Sequence, residues 1–533
     1  MDRGGLVSQC LQLLAEQRAD QAIALVDLQP SNDAFVGALR VFLRFMADDF
    51  TGISGQGHIS GLVANDDTAK LMQVAALVFA GAVGELGQVE YAASIEQLEA
   101  RASMVSDDDR VHSFARYLGV EAALASARLD LAARFLENGP HPDRLWGDSP
   151  YAGVMLAARA RTAAFAGQIN DALAVEASAA HTPLVGAFVD ASLALSAAYA
   201  AQDDWARQLI AQVEQAQIEP TDRLSRGVYL ILAFAWAGIN EAAQCSKAII
   251  RAGGDARLEP LSVIDKVLAF ELLVFEALAT ENLPAAREWH ELASAWEGHL
   301  AAWPVVYRIR ARIVFHEGDV GAAESLAQEA LEGLAGQDRR IERTIGQIVL
   351  ARVKIARGRV GEATRELREA VAQSDEAGHA AMRWAATAEL RAARRRLPPP
   401  SGLGWEALSI RETELAEALL SGVDIDEIAD QLHLSMATVR AHLTRVLQAF
   451  GVSNRIAFLA SVSDQVPSKP APARLTARQE EVAHLVAMGM SNAEIGQQLE
   501  IQTGSVEKLV SEILARWKLS NRFYLAHTWW AAQ

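Results

Sequence analysis

Apolar residues along the 533-residue chain recur three or four positions apart, the spacing of one helix face, and nowhere alternate with period two for the length of a strand. Ala and other strong helix formers fill these stretches, so an all-α chain is expected. Between successive amphipathic helices a short pattern returns: a small residue, any residue, a usually apolar residue, two more of any kind, then Ala. Its best copies are Gly318, Val320, Ala323 and Gly358, Val360, Ala363. Others start at Gly87, Ala127, Gly167 and Ala237, weaker ones at Ala201 and Glu281, and Gln17 to Ala22 reads as a first.

From Gly87 onward the starting positions are separated by 40, 40, 34, 36, 44, 37 and 40 residues, the period of a helix-turn-helix solenoid. A small residue permits the tight turn, and the Ala lets the second helix lie close to the first. The pattern resembles tetratricopeptide repeats, so residues 1–396 are expected to form a curved, tetratricopeptide-like solenoid with a concave sensor or docking surface. The stretch from Met46 to Asp67, rich in Gly and Ser, breaks the period and reads as an irregular loop or degraded unit.

The solenoid ends in a basic helix with Arg391, Arg394, Arg395 and Arg396, best read as a solvated face, before Pro398, Pro399 and Pro400 forbid further helix. Beyond it, two similar segments, 403–463 and 475–533, flank a Pro-rich linker at 464–474 that is expected to be extended.

The first segment divides into short helices. Ser409 with Glu412, and Asp424 with Glu427, have capping-box spacing, and Gly422 ends the first helix. Ile428, Ala429 and Leu432 form the core face of the second helix, His433 and Leu434 the turn, and Ser435 the cap of the third. In the third helix Val439, Leu443 and Val446 share one face, leaving Thr438, Arg440, His442, Thr444 and Arg445 elsewhere with no acidic residue among them. A helix so placed enters the major groove in helix-turn-helix proteins.

With Leu408, Arg411, Glu412, Gly422, Glu427, Ile428, Ala429, Ser435, Thr438, Val439, Arg440, His442, Gly451, Val452 and Arg455 at fixed spacing, this segment resembles the LuxR-type DNA-binding domain. The resemblance implies double-stranded DNA as partner, RNA polymerase as a further candidate, DNA contact by Arg440 and His442, and a fold-holding role for Glu412, Val439 and Gly451. The DNA-binding set is read as Ser435, Thr438, Val439, Arg440, His442, Thr444 and Arg445. Asp424 and Asp426 stand where the family has neutral or basic residues.

The second segment repeats the pattern from Leu475 against Leu408, an offset of 67 residues. Thr476 with Gln479, and Ser491 with Glu494, repeat the capping boxes. Its third helix departs, with Glu507 for the basic residue, Leu509 for the His, an interior Gly504 and a further Glu512. Ser491, Asn492, Ser505 and Lys508 form a weaker candidate DNA-binding set. The duplication raises an internal pseudo-dimer through the last helices, where family members dimerise between chains.

A net charge of −18 excludes nucleic-acid binding by the whole surface, so any DNA contact is local. Cys10 and Cys245 alone give neither a disulfide framework nor a zinc site. Without a signal-peptide pattern or an apolar run of spanning length, a cytoplasmic protein with no membrane contact is expected. His290, His316, Trp146, Trp205, Trp236 and Trp303 lack metal or cofactor spacing, and no phosphate-binding loop or nucleophile motif occurs, so no enzyme and no cofactor or metal is expected. Large LuxR-type regulators similar to the maltose activator carry an NTPase before their helical repeats; this chain resembles only the repeats and the DNA-binding end. The expected function is a transcriptional regulator controlled by a small-molecule or protein effector at the solenoid. The alternative is an interaction scaffold or anti-activator whose helix-turn-helix copies bind protein.

Overall fold

The recurring small-residue pattern marks where helices reverse. In the computed structural model, a left-handed backbone occurs at Gln17, Ala127, Gly167, Ala201, Glu281, Gly318 and Gly358. In each case the following N–H donates to the carbonyl five residues back, at 2.7 to 3.2 Å, the Schellman closure of a helix C-terminus. The Ala five residues on, from Ala22 to Ala363, is fully buried every time. Non-glycine residues in this conformation cost roughly 1–2 kcal/mol each, which the packing of the hairpin offsets.

Two of the starting positions lie in another register. The helix begun at Arg223 runs through Gly238, so the left-handed residue is Asn240, not Ala237, and Cys245, five residues on, takes the buried place expected of Ala242. Near Gly87 the left-handed residue is Gly84, and the close approach is at Gly81, where the Tyr91 ring fills the space a Cβ would need. The bulk of Tyr91 sets the close approach in the one, and the continuation of the helix through Gly238 moves the turn in the other.

The structure describes all residues except 1, 31, 55–58, 104–108, 138–144, 148, 176–181, 394–403, 451, 453, 471 and 533, and the side chains of 54, 406, 437, 441, 444 and 448. The chain divides into two units, Met1–Arg395 and Arg396–Gln533. Every described regular element in both is helical, and among the described residues no helix is long and apolar enough to cross a membrane. Arg391 lies in the last turn of the last described helix of the first unit, Ala380–Ala392; Arg394, Arg395, Arg396 and the prolines after them lie outside the described residues.

The first unit is an array of antiparallel pairs, among them Pro183–Tyr199 with Asp203–Gln215, Val263–Ala279 with Leu283–Ser294 and Arg340–Ala356 with Val360–Glu376. The stretch from Met46 to Asp67 interrupts it with the short helices Phe50–Ser54 and Ile59–Gly61, tied down where the Gln73 amide donates to Leu62 O at 2.9 Å. The array curves until distant pairs meet. His299 Nε2 bonds Gly81 O at 3.0 Å, Ile169 N donates to Ala377 O at 3.0 Å, and the Tyr199 and His379 rings stack at 4.5 Å. These contacts draw the concave side of the solenoid into a partly enclosed cavity.

Within the second unit the helices are numbered α1 (Ile410–Leu420), α2 (Ile425–Gln431), α3 (Met436–Ala449), α4 (Arg455–Ser461), α5 (Ala477–Ala487), α6 (Asn492–Gln498), α7 (Thr503–Trp517) and α8 (Arg522–Ala531). The two sets of four have separate cores, around Leu415, Ile428 and Val446, and around Val482, Ile495 and Ile513. The Pro-rich segment between them is pinned: Lys469 N donates to Ala531 O at 2.6 Å and Trp517 Nε1 to Ala473 O at 2.7 Å.

Candidate DNA interface

Local chemistry places α3. The capping box at α1 forms as the spacing predicts, with Ser409 N and Oγ donating to Glu412 Oε2 at 2.8 and 2.7 Å. The other oxygen of this buried carboxylate faces α3, receiving Arg445 at 3.2 Å with His442 Nδ1 at 3.6 Å. Burial works against the charge of Glu412, but the Ser409 donors and the Arg445 guanidinium together hold its carboxyl below the usual range. Glu412 thus ties α3 to α1.

The turn before α3 has His433 in the left-handed region (φ 54°) and Leu434 N donating to Ala429 O at 2.9 Å. Ser435 caps α3 by accepting from Thr438 N at 3.2 Å, and the two hydroxyls lie 2.9 Å apart. Val439 is 0% exposed, which corrects its place among the DNA-contacting residues: it can only hold the helix. Arg440 and Arg445 are exposed, His442 is partly buried and turned toward Glu412, and the Thr444 side chain lies outside the described residues. The surface of α3 is cationic through Arg440 and Arg445.

The expected capping box of Asp424 and Glu427 does not close. Asp424 caps α2 through Ile425 N at 2.7 Å, but Glu427 accepts from the Tyr524 hydroxyl of α8 at 3.0 Å instead. Asp424 also accepts from Asn521 Nδ2 at 2.7 Å and pairs with Arg455. Asp424, standing where the family has a neutral or basic residue, serves the junction between the two sets of helices, while Asp426 stays exposed.

That junction has approximate twofold character. Asn454 Nδ2 donates to Gly489 O at 3.4 Å, and its counterpart 67 residues on, Asn521, reaches back to Asp424. Gly422 and Gly489, both at φ 87°, end α1 and α5, and a Cβ on either would meet His527 or Ala457 of the opposing last helix. Phe523 and Ala531 of α8 are buried in the core of the first set. These junction residues escaped single-segment reading; the signal was Ser-Asn-Arg recurring at 453–455 and 520–522.

In the second set, α7 occupies the place of α3 with different charge. Glu507, Lys508, Glu512 and Arg516 cancel, and Gln479, equivalent to Glu412, bonds Glu512 at 3.2 Å and Arg516 at 3.1 Å. Ser505 and Lys508 are exposed on α7; Ser491 is engaged in capping α6, and Asn492 accepts from Arg522 at 2.5 Å. Replacing Glu507 with Lys adds two positive charge units to this face and is expected to strengthen nonspecific duplex binding and steepen its salt dependence, read by titration at several salt concentrations. An unchanged salt slope would mean that α7 does not face DNA.

The family model described as "GerE: Bacterial regulatory proteins, luxR family" matches residues 406–461 and 473–529. These segments are LuxR-type helix-turn-helix domains, the DNA-binding element of that family of regulators. No curated protein matches the chain. A solved structure described as "Crystal structure of APC/C hetero-tetramer Cut9-Hcn1" is similar at 12% identity over 85% of this chain and 81% of that one, with a TM-score of 0.35, too low to bear on function.

Proposed function

We propose that this chain is a non-enzymatic transcriptional regulator that binds specific DNA through α3 and is controlled by an effector held in its helical array. What carries the reading is the conjunction of a LuxR-type helix-turn-helix with a recognition helix whose exposed charges, Arg440 and Arg445, are both cationic on a chain of net charge −18. The pairing of α4 with α8 supports a single chain acting as its own pseudo-dimer, because the last-helix surface is already occupied within the chain. Only one half of that pseudo-dimer has a cationic recognition helix, so a short, non-palindromic site is expected.

The test is selection of bound genomic fragments by the full chain and its Arg440→Ala variant at near-physiological salt. Arg440→Ala is expected to cost about 1–3 kcal/mol of specific binding. Equal affinities would remove α3 from the interface. Mass measurement of the complex should give one chain per site; two chains on a palindrome would overturn the pseudo-dimer. The exposed acids of α7 favour one further reading, that the second domain meets a protein such as RNA polymerase.

A further inference from the structure

The concave side of the helical array holds a partly open cavity of about 720 Å³, within the range of small-molecule sites. Its wall is mainly apolar and aromatic, with Phe45, Tyr117, Phe188, Phe234 and Leu268 among its members. Phe275 and Trp384, which also line it, are 44% and 55% exposed, unusual for side chains of that size.

Most charges on the wall are matched. Arg226 meets Asp48 at 2.8 Å, Arg161 meets Glu121 at 2.6 Å, Arg223 meets Asp265 at 2.8 Å, and Arg352 pairs with Glu389. Among the cations of the wall, Arg312 is the exception. The carboxylate nearest to it, Glu271, is taken in two-pronged fashion by Arg308 at 2.6 and 2.5 Å and leaves Arg312 a single oxygen at 3.6 Å. Glu342 already faces Arg339 at 2.5 Å and Arg308 at 3.6 Å, and Glu389, the other acid that acts on Arg312, is taken by Arg352. Four guanidiniums, Arg308, Arg312, Arg339 and Arg352, therefore share three carboxylates, and the buried Nε of Arg312 has no hydrogen-bond partner. Burial pushes Arg312 down to about 10, the response of a cation short of compensation.

We propose that this cavity is the effector site and that it takes an amphipathic carboxylate, an alkyl or aryl body lying along the aromatic wall with its single carboxylate on Arg312. One negative charge cancels the surplus of one, and a planar carboxylate matches the guanidinium fork. A neutral ligand leaves Arg312 as it is, and a cation adds to the surplus. The proposal deepens the effector clause of the proposed function and rests on it for its regulatory meaning, but the binding itself involves no DNA.

The experiment is calorimetric titration of the full chain, without DNA, using decanoate, decan-1-ol and decyltrimethylammonium as probes below their aggregation concentrations. Decanoate is expected to bind saturably at one site, roughly tenfold or more tighter than the alcohol, with the ammonium weakest. Arg312→Met should weaken decanoate by a similar factor and erase its advantage over decanol, whereas Arg310→Met, exposed on the same helix and outside the wall, should change neither. The Met variant keeps the Arg308–Glu271 pair, so circular dichroism should show an intact fold. Decanoate binding no tighter than decanol, or unaffected by Arg312→Met, would overturn the proposal. Because Arg440→Ala should leave decanoate binding untouched, failure here and failure of the DNA-binding reading are separable.

Discussion

Replacing Glu271 with Ala should lower the stability of the helical array by about 3–5 kcal/mol, because removing one partner of a buried ion pair leaves the other charge uncompensated. Arg308 is 0% exposed and depends on Glu271 for both of its shortest hydrogen bonds. Arg312 loses its nearest carboxylate in the same step. Burial opposes the charge of Glu271, and it is Arg308, with Arg312 and Arg339 behind it, that keeps its carboxyl below the usual range. Urea unfolding of the full chain, followed by circular dichroism, measures the loss. The double variant Glu271→Leu with Arg308→Met should recover much of it, since the cost lies in the stranded charge more than in a missing attraction. A loss under 1 kcal/mol for Glu271→Ala would show that water reaches Arg308.

The second large effect is a loss of stability on acidification that originates at His379. This ring is 2% exposed, stacked on Tyr199 at 4.5 Å, and caps the helix Ala380–Ala392 by accepting from Met382 N through Nδ1 at 3.3 Å. Burial lowers its pKa from 6.5 to about 4. Between those values the unfolded chain binds a proton that the folded chain refuses, so stability is fully present above pH 6.5 and declines as the pH falls toward 4. The contribution is about 3 kcal/mol. Asp48 acts in the opposite sense, since burial raises it from 3.8 to about 6 and the folded chain takes up its proton first. The quantity to measure is therefore the difference in pH dependence between the wild type and His379→Asn, a substitution that keeps a capping side chain. The variant should lose less stability on acidification; parallel curves would exclude His379 as the source.

Much of the fold was legible because its signals are local. Left-handed turns, Schellman closures and buried Ala residues are set within half a dozen positions, and seven of the recurring turns stand where the pattern places them. The misplaced registers at Gly87 and Ala237 arose where the bulk of a packed neighbour, Tyr91, or the continuation of a helix through Gly238 decides the turn, which a pattern of small residues does not record. In the DNA-binding unit the capping boxes at Ser409, Thr476 and Ser491 form as their spacing implies. The one at Asp424 does not, because Asn521 and Tyr524, each 97 residues from its partner in that pair, draw on the same carboxylates.

From the order of residues alone came the helical character, the repeat, the two LuxR-type segments and the contrast between a cationic α3 and a charge-balanced α7, all properties of neighbours along the chain. The tertiary structure decided that the array curves around a cavity, that Arg312 is left with surplus charge on its wall, and that the last helices of the two segments pair within the chain. The reason is distance in sequence: Arg226 meets Asp48 across 178 residues and His299 meets Gly81 across 218, and the partners of a buried charge are chosen only when the chain has brought such positions together.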